Sequence, residues 1–136
     1  MAVEIEGRYT GKLKTAMTHG PSGVDLATAA PLDNQGDGSS FSPTDLLAAA
    51  LASCMVTTMA IVAERDGVDL SGVTFHVEKE MAANPRRVGK LPVRIHLPAR
   101  LPAAERRKLE QAANSCPVHH SLTPEIEKEV LFIYDV

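Results

Sequence analysis

The feature that most constrains the fold is an uncharged stretch of 18 residues from Leu46 to Ala63. Ser42 and Asp45 precede it at the spacing of a capping box, and Pro43 suits the first helical position. Gly67 follows as a stop signal. Because the stretch is apolar around its whole circumference, we predict a central helix that is enclosed by protein.

The composition is that of one globular domain covering residues 1–136, with 44% hydrophobic and 23% charged residues. A net charge of -3 gives no electrostatic reason to expect nucleic acid or an anionic membrane as a partner. The uncharged stretch reaches only the lower length limit of a membrane span and has no flanking Trp or Tyr, so we expect no membrane insertion. The N-terminus shows no secretory signal, and a cytoplasmic location is therefore expected.

Alternating apolar and polar residues predict strands on both sides of the central helix. The predicted elements after the helix include an amphipathic helix and a helical turn. In order, the predictions are a strand over Val3–Lys14, a turn over His19–Gly23, a strand over Val24–Ala29, the central helix, a hairpin of Val73–Met81 with Pro92–Leu97, a helix over Pro102–Asn114, a helical turn over Ser115–Leu122 and a strand over Glu125–Val136.

This order predicts an α+β fold, with helices on one face of largely antiparallel sheet. The central helix is too apolar to be covered by one small sheet. We therefore expect a dimer in which two sheets wrap around two such helices.

The two cysteines, Cys54 and Cys116, are 62 residues apart and have different surroundings. Cys116 precedes Pro117, so it can cap the turn that follows, and the N–H groups there would lower the pKa of its thiol. Cys54 lies in the middle of the uncharged stretch, where burial disfavours a thiolate. To react, Cys54 needs a cation or hydrogen-bond donors from another segment. In a reducing compartment such a pair favours catalytic, redox-sensing or metal roles over a permanent disulfide.

Two sequence motifs are more informative than the spacing of the cysteines. Residues 42–47 (SPTDLL), which lead to Cys54, and residues 116–122 (CPVHHSL) closely resemble the OsmC/Ohr family of osmotically inducible and organic hydroperoxide resistance proteins. The resemblance covers most of the chain. It implies an intertwined homodimer, with antiparallel sheets wrapped around long central helices and sites at the subunit interface. It also implies a thiol peroxidase that uses no metal and no bound cofactor.

The resemblance further implies roles for individual residues. Cys54 corresponds to the peroxidatic cysteine, which becomes a sulfenic acid, and Cys116 to the resolving cysteine, which forms a Cys54–Cys116 disulfide. Asp45, nine residues before Cys54, is the nearest carboxylate and a catalytic candidate. The implied substrates are organic hydroperoxides, and the implied reductant is a dithiol of the dihydrolipoamide type.

Two positions depart from the hydroperoxide-resistance branch of that family. The branch has Glu ten residues before its first cysteine, where this chain has Thr44. It also draws a catalytic Arg from the N-terminal hairpin loop, and His19–Gly23 contains none. Lys12, Lys14 or His19 could replace this Arg as a cation, although they lack its two-pronged geometry. Arg8 is another candidate, but its position on the predicted strand favours a solvated surface residue.

Other functions are compatible with the same residues. Cys54, Cys116 and His119 could be three metal ligands, although the sequence offers no evident fourth. Cys54 and Cys116 could also act as a redox sensor, or the same apolar interface could form a ligand-binding module without catalysis. A third alternative is a cysteine-dependent hydrolase, with His119 or His120 as its base.

Overall fold

The computed structural model describes residues 1–136, which divide into two units, residues 1–46 and 47–136. The first unit contains strands β1 (Ile5–Gly11), β2 (Lys14–His19) and β3 (Asp25–Ala29), a 3-10 turn (Leu32–Asn34) and the start of helix α1 (Pro43–Arg65). The second contains the rest of α1, strands β4 (Thr74–Val77), β5 (Glu80–Ala82) and β6 (Arg87–Leu97), helices α2 (Ala103–Asn114) and α3 (Pro117–Ser121), and strand β7 (Glu127–Tyr134). The α+β class is confirmed; that residues 1–136 form one domain stays a prediction.

The first sheet is antiparallel in the order β1-β2-β3. The predicted strand over Val3–Lys14 is wrong, because a tight turn divides it into β1 and the start of β2. Gly11, Lys12 and Leu13 all have positive φ, at 90°, 55° and 61°. The alternation of apolar and polar residues continues through these positions, so the pattern conceals the turn. The predicted return strand is confirmed as β3.

One face of this first sheet carries apolar side chains that its own unit leaves uncovered. The strand register places Gly7 opposite Met17 and Met17 opposite Leu26, so these residues share one face with Ile5 and Tyr9. Ile5 is 64% exposed, Tyr9 66% and Leu26 43%. An apolar face of this kind marks an interaction surface.

Helix α1 begins at the predicted capping box. The Asp45 N–H donates to Ser42 Oγ at 3.0 Å, and the Ser42 N–H donates to Asp45 Oδ2 at 2.8 Å. Both bonds satisfy N–H groups that the first helical turn would otherwise leave without partners. The capping box therefore fixes where the long helix starts.

The helix ends at the predicted glycine. Gly67 has φ 68°, its N–H donates to the Glu64 carbonyl, and the Val68 N–H donates to the Ala63 carbonyl. This pair of bonds is a Schellman motif, which requires the left-handed conformation that glycine adopts most easily.

The second sheet is built on β6. Strands β4 and β5 both pair antiparallel with β6, as the predicted hairpin requires. The predicted strand over Val73–Met81 is however divided into these two strands, and β6 starts at Arg87 rather than at Pro92. Strand β7 pairs with β6 in parallel, with Val93 opposite Val130. Because α2 and α3 lie between β6 and β7 in the chain, they form the long crossover that a parallel pair needs. This sheet is therefore mixed.

The core of the second unit lies between β6 and the helices. Alternate residues of β6 point inward, and they share one apolar cluster with residues of α1 and α2. Its fully buried members include Leu91, Val93, Ile95 and Leu97 of β6, Leu51, Met55 and Met59 of α1, and Leu109 and Ala113 of α2.

Only one face of α1 is buried within the chain, and Ile61 on another face is 48% exposed. The predicted enclosure on all sides is therefore not reached by one copy. Helix α1 is long and apolar enough to cross a membrane. The core helices of globular proteins can have the same length and composition, so this property does not distinguish the two cases.

The capping box gives a direct stability test. Ser42→Ala removes the hydroxyl that accepts the Asp45 N–H, so we expect the free energy of unfolding to fall by about 1 kcal/mol. The matched control is Ser53→Ala, the same change at an exposed interior position of α1, which should shift it by less than about 0.5 kcal/mol. Urea unfolding followed by circular dichroism measures both, and equal losses would contradict a capping role.

Candidate active site

Cys54 lies in the middle of α1 and is half-buried. Its neighbours Leu51 and Met55 are fully buried, so the thiol stands at the edge of the apolar cluster rather than inside it. The Thr58 hydroxyl donates to the Cys54 carbonyl oxygen at 2.8 Å, which ties the next helical turn to this position. Its partial exposure distinguishes Cys54 from these buried neighbours.

Cys116 lies at the N-cap of α3, as the sequence predicts. Its Sγ accepts the N–H of His119 at 3.3 Å, and its carbonyl oxygen accepts the N–H of His120. Pro117 occupies the first helical position, where its missing N–H costs no hydrogen bond. The side chain is completely buried, which the polar residues around it in the sequence did not indicate.

The fold brings the two thiols together. Both cysteines are free, Cys116 is buried in the apolar cluster of the second unit, Cys54 packs against that cluster, and the two thiols are close enough to interact electrostatically. Burial raises the pKa of the Cys116 thiol, while the N–H groups of His119 and Val118 oppose that rise and the thiol of Cys54 adds to it. The predicted lowering of this pKa by the N-cap is therefore wrong. The capping N–H groups act as expected, but burial outweighs them.

The two histidines of α3 differ in their surroundings. His120 is exposed, whereas His119 is half-buried and its ring lies 6.1 Å from that of His120. Burial lowers the pKa of His119, and the positive charges of Lys128 and His120 lower it further. His119 is therefore neutral at pH 7.

In the first unit, the candidate carboxylate and two candidate cations already have partners. Asp45 Oδ2 accepts the Ser42 N–H in the capping box. Lys14 forms an ion pair with Asp37 at 3.0 Å, and His19 Nδ1 lies 2.6 Å from Ser22 Oγ. Asp45 thus forms part of the capping box, and its predicted catalytic role stays a prediction.

No group of three or more His, Cys, Asp or Glu side chains is placed to hold a metal ion. Cys54, Cys116 and His119 thus do not form a ligand set. What the geometry can support is thiol chemistry between two neighbouring sulfurs.

The chain is similar to one known protein family and to several solved structures. The family model for OsmC-like proteins matches residues 36–130, which include α1 and both cysteines. A comparison with curated proteins finds no match.

Solved structures share the fold over almost the whole chain. A Psychrobacter arcticus protein, described as an osmotic stress induced and detoxification response protein, is 41% identical with a TM-score of 0.90, over 94% of this chain and 93% of that one. The organic hydroperoxide resistance protein OsmC of Legionella pneumophila is 21% identical with a TM-score of 0.73, covering 98% and 97%. OhrB of Bacillus subtilis, an organic hydroperoxide resistance protein, is 15% identical with a TM-score of 0.68, covering 97% and 98%. The chain therefore belongs to the OsmC-like protein family.

Proposed function

We propose that this protein is a thiol peroxidase that reduces organic hydroperoxides with Cys54 and Cys116. The observation that carries the proposal is the contact between two free thiols that are remote in sequence and meet in one apolar cluster. Membership of a family that includes organic hydroperoxide resistance proteins supports it.

The two cysteines take different roles because their exposure differs. Cys54 is only half-buried, so its thiol is the one that attacks the terminal oxygen of the hydroperoxide, forming a sulfenic acid and releasing an alcohol. Cys116 is completely buried, so its thiol is not the first to react with the peroxide. Its sulfur then displaces the sulfenic hydroxyl, which leaves as water, and the Cys54–Cys116 disulfide forms.

The apolar surroundings favour a hydroperoxide with a hydrocarbon portion over hydrogen peroxide. Leu51 and Met55 flank Cys54, while Val118 and Leu122 next to Cys116 also pack against the apolar cluster. An organic group gains from leaving water for such a lining, whereas hydrogen peroxide gains nothing from it.

A dithiol reductant completes the proposed cycle. One thiol of a dihydrolipoamide-type molecule attacks the disulfide, and its second thiol then releases the protein. Both cysteines return as thiols, and the reductant leaves as its own cyclic disulfide.

We also propose that the working form is a homodimer. The support is the uncovered apolar face of the first sheet, which includes Ile5, Tyr9 and Leu26, together with the partly exposed helix α1. A second copy can cover both surfaces.

Cysteine variants test the proposed chemistry. With cumene hydroperoxide and dihydrolipoamide, we expect Cys54→Ser to abolish peroxide consumption, since it removes the sulfur that is oxidised. Cys116→Ser should consume one equivalent and stop at a Cys54 sulfenic acid, which dimedone labelling and mass spectrometry detect. Ser53→Ala, next to Cys54, is the matched control and should turn over like the unmodified protein.

The alternatives give other results in the same assay. Oxidation of the unmodified protein by one equivalent without turnover would point to a sensor instead. Ester cleavage that Cys54→Ser removes, with no thiol oxidation, would point to a hydrolase. Equal peroxide consumption in both cysteine variants and the unmodified protein would overturn the assigned roles.

Asp45 receives a positioning role in this proposal, since its carboxylate caps α1. Asp45→Asn keeps an oxygen that can accept the Ser42 N–H but removes the charge. We therefore expect its kcat/KM for hydroperoxide to stay within about threefold of the unmodified protein, whereas loss of a general acid or base costs about a hundredfold or more. Asp45→Ala should lower the free energy of unfolding, because the capping carboxylate is removed. A hundredfold loss of kcat/KM in Asp45→Asn would instead show that Asp45 takes part in the reaction.

The dimer is tested by sedimentation. At micromolar concentration we expect twice the mass of the 136-residue chain. Ile5→Glu places a charge on the uncovered apolar face and should shift the equilibrium towards monomer, because that charge would have to be buried. Glu6→Lys, on the opposite face of β1, is the matched control. A monomeric unmodified protein contradicts the proposed assembly.

A further inference from the structure

We propose that Thr58 binds the hydroperoxide next to Cys54, with its side-chain oxygen accepting a hydrogen bond from the O–H group of the terminal peroxide oxygen. This role rests on the proposed peroxidase function and adds a substrate-binding residue to it. It concerns the alignment of the substrate, and it holds whichever group stabilises the Cys54 thiolate.

Thr58 lies one helical turn after Cys54 on the same side of α1, since residues four apart are neighbours on a helix surface. Both side chains are half-buried, at the boundary between the buried and the exposed face of the helix. The buried face includes Leu51, Met55 and Met59, and the exposed face includes Ser53, Thr57 and Ile61. A molecule that approaches the Cys54 sulfur from outside the apolar cluster therefore also comes close to Thr58.

The hydrogen bond that Thr58 already makes determines what its oxygen can do. The hydroxyl donates to the Cys54 carbonyl oxygen at 2.8 Å. A carbonyl oxygen only accepts, so the hydroxyl proton is committed to the helix backbone. Towards any third group the oxygen of Thr58 therefore offers its lone pairs. It is an acceptor beside a thiol whose proposed substrate carries one O–H donor.

The distances fit an oxygen held between the two side chains. The Cβ atoms of residues four apart on a helix are about 5–6 Å from each other. A nucleophile reacts from about 3–3.5 Å, and an O–H···O hydrogen bond spans about 2.7 Å between its oxygens. Laid end to end, these two lengths cover about 6 Å. A terminal peroxide oxygen can therefore contact the Cys54 sulfur and the Thr58 oxygen together.

This hydrogen bond selects the oxygen that reacts. A hydroperoxide ROOH has its O–H group on the terminal oxygen, whereas the oxygen bonded to carbon has no proton to donate. An acceptor at Thr58 therefore holds the terminal oxygen against the sulfur of Cys54 and directs the RO portion away from it. Attack on the other oxygen would leave hydroxide instead of an alkoxide and would attach the organic group to the enzyme.

The proton stays on the terminal oxygen during the reaction. The Cys54 thiolate supplies the electron pair of the new S–O bond, the O–O bond breaks, and RO⁻ leaves and takes a proton from water to become ROH. The product is the Cys54 sulfenic acid, whose O–H group is the one that Thr58 already binds. The same hydrogen bond therefore holds the substrate before this step and the sulfenic acid after it.

The test compares two electrophiles that react with Cys54 in the reduced protein at one pH. Cumene hydroperoxide carries the O–H donor, whereas N-ethylmaleimide has no O–H or N–H group. The rate constant of each reaction is read from the loss of the unmodified Cys54 peptide by mass spectrometry after an acid quench. A change in the ionisation or exposure of the thiol affects both rate constants, so their ratio isolates the hydrogen bond to the substrate.

Four variants separate the hydroxyl group from the rest of the side chain. Thr58→Val replaces the hydroxyl with a methyl group of similar size, and Thr58→Ala removes it without a replacement. Thr58→Ser keeps the hydroxyl. Thr57→Val is the matched control, because it makes the same change at the neighbouring exposed position of α1.

Loss of the hydroxyl in Thr58→Val and Thr58→Ala should lower the rate constant for cumene hydroperoxide by about tenfold, which corresponds to one hydrogen bond. The rate constant for N-ethylmaleimide should stay within about twofold in both, and Thr58→Ser and Thr57→Val should keep the ratio of the unmodified protein within about twofold. An unchanged ratio in both variants without the hydroxyl overturns the proposal. So does an equal fall of both rate constants, which marks a structural role, or a ratio that falls as far in Thr57→Val.

The failure of this inference is distinguishable from the failure of the proposed function. If cumene hydroperoxide oxidises Cys54 of the unmodified protein and the ratio does not respond to the loss of the Thr58 hydroxyl, the proposed function stands and the role of Thr58 is wrong. If Cys54 reacts with N-ethylmaleimide but is not oxidised by the hydroperoxide, the proposed function is wrong, and the role of Thr58 with it.

Discussion

The sulfur of Cys116 links the parts of the second unit that matter for chemistry. It accepts the N–H that starts α3, it fills space in the apolar cluster, and it contacts the only other thiol in the chain. These three contacts cannot be changed independently. The short helix α3 positions the sulfur, and burial sets its protonation. The contact with Cys54 gives it a partner.

The competition between capping and burial at this sulfur is decided by magnitude. A helix N-terminus stabilises a nearby negative charge by about 0.3–1 kcal/mol at exposed positions and by about 2 kcal/mol when partly buried. Removing an ionised group from water costs considerably more unless a countercharge or several donors compensate. Two N–H groups compensate in part, and the pKa of Cys116 therefore rises.

Local signals in the sequence sufficed for the helices and for the capping turns at the two ends of α1. Ser42, Asp45 and Gly67 predict both ends of α1, because capping depends on residues within one turn. The turn at Lys12 and Leu13 was missed because apolar and polar residues alternate through it. The parallel pairing of β7 with β6 depends on the crossover path, which no local pattern records.

The site was less predictable than the fold for the same reason. The proximity of Cys54 and Cys116 follows from how α1 and α3 pack, and the 61 residues between them in the sequence carry no signal of it. Only the resemblance to a family suggested it. Burial of Cys116 likewise depends on the elements around it. The absence of charge from α1, however, was visible from the start. A helix of that kind can hold a reactive sulfur only if another segment brings the polar group that stabilises it.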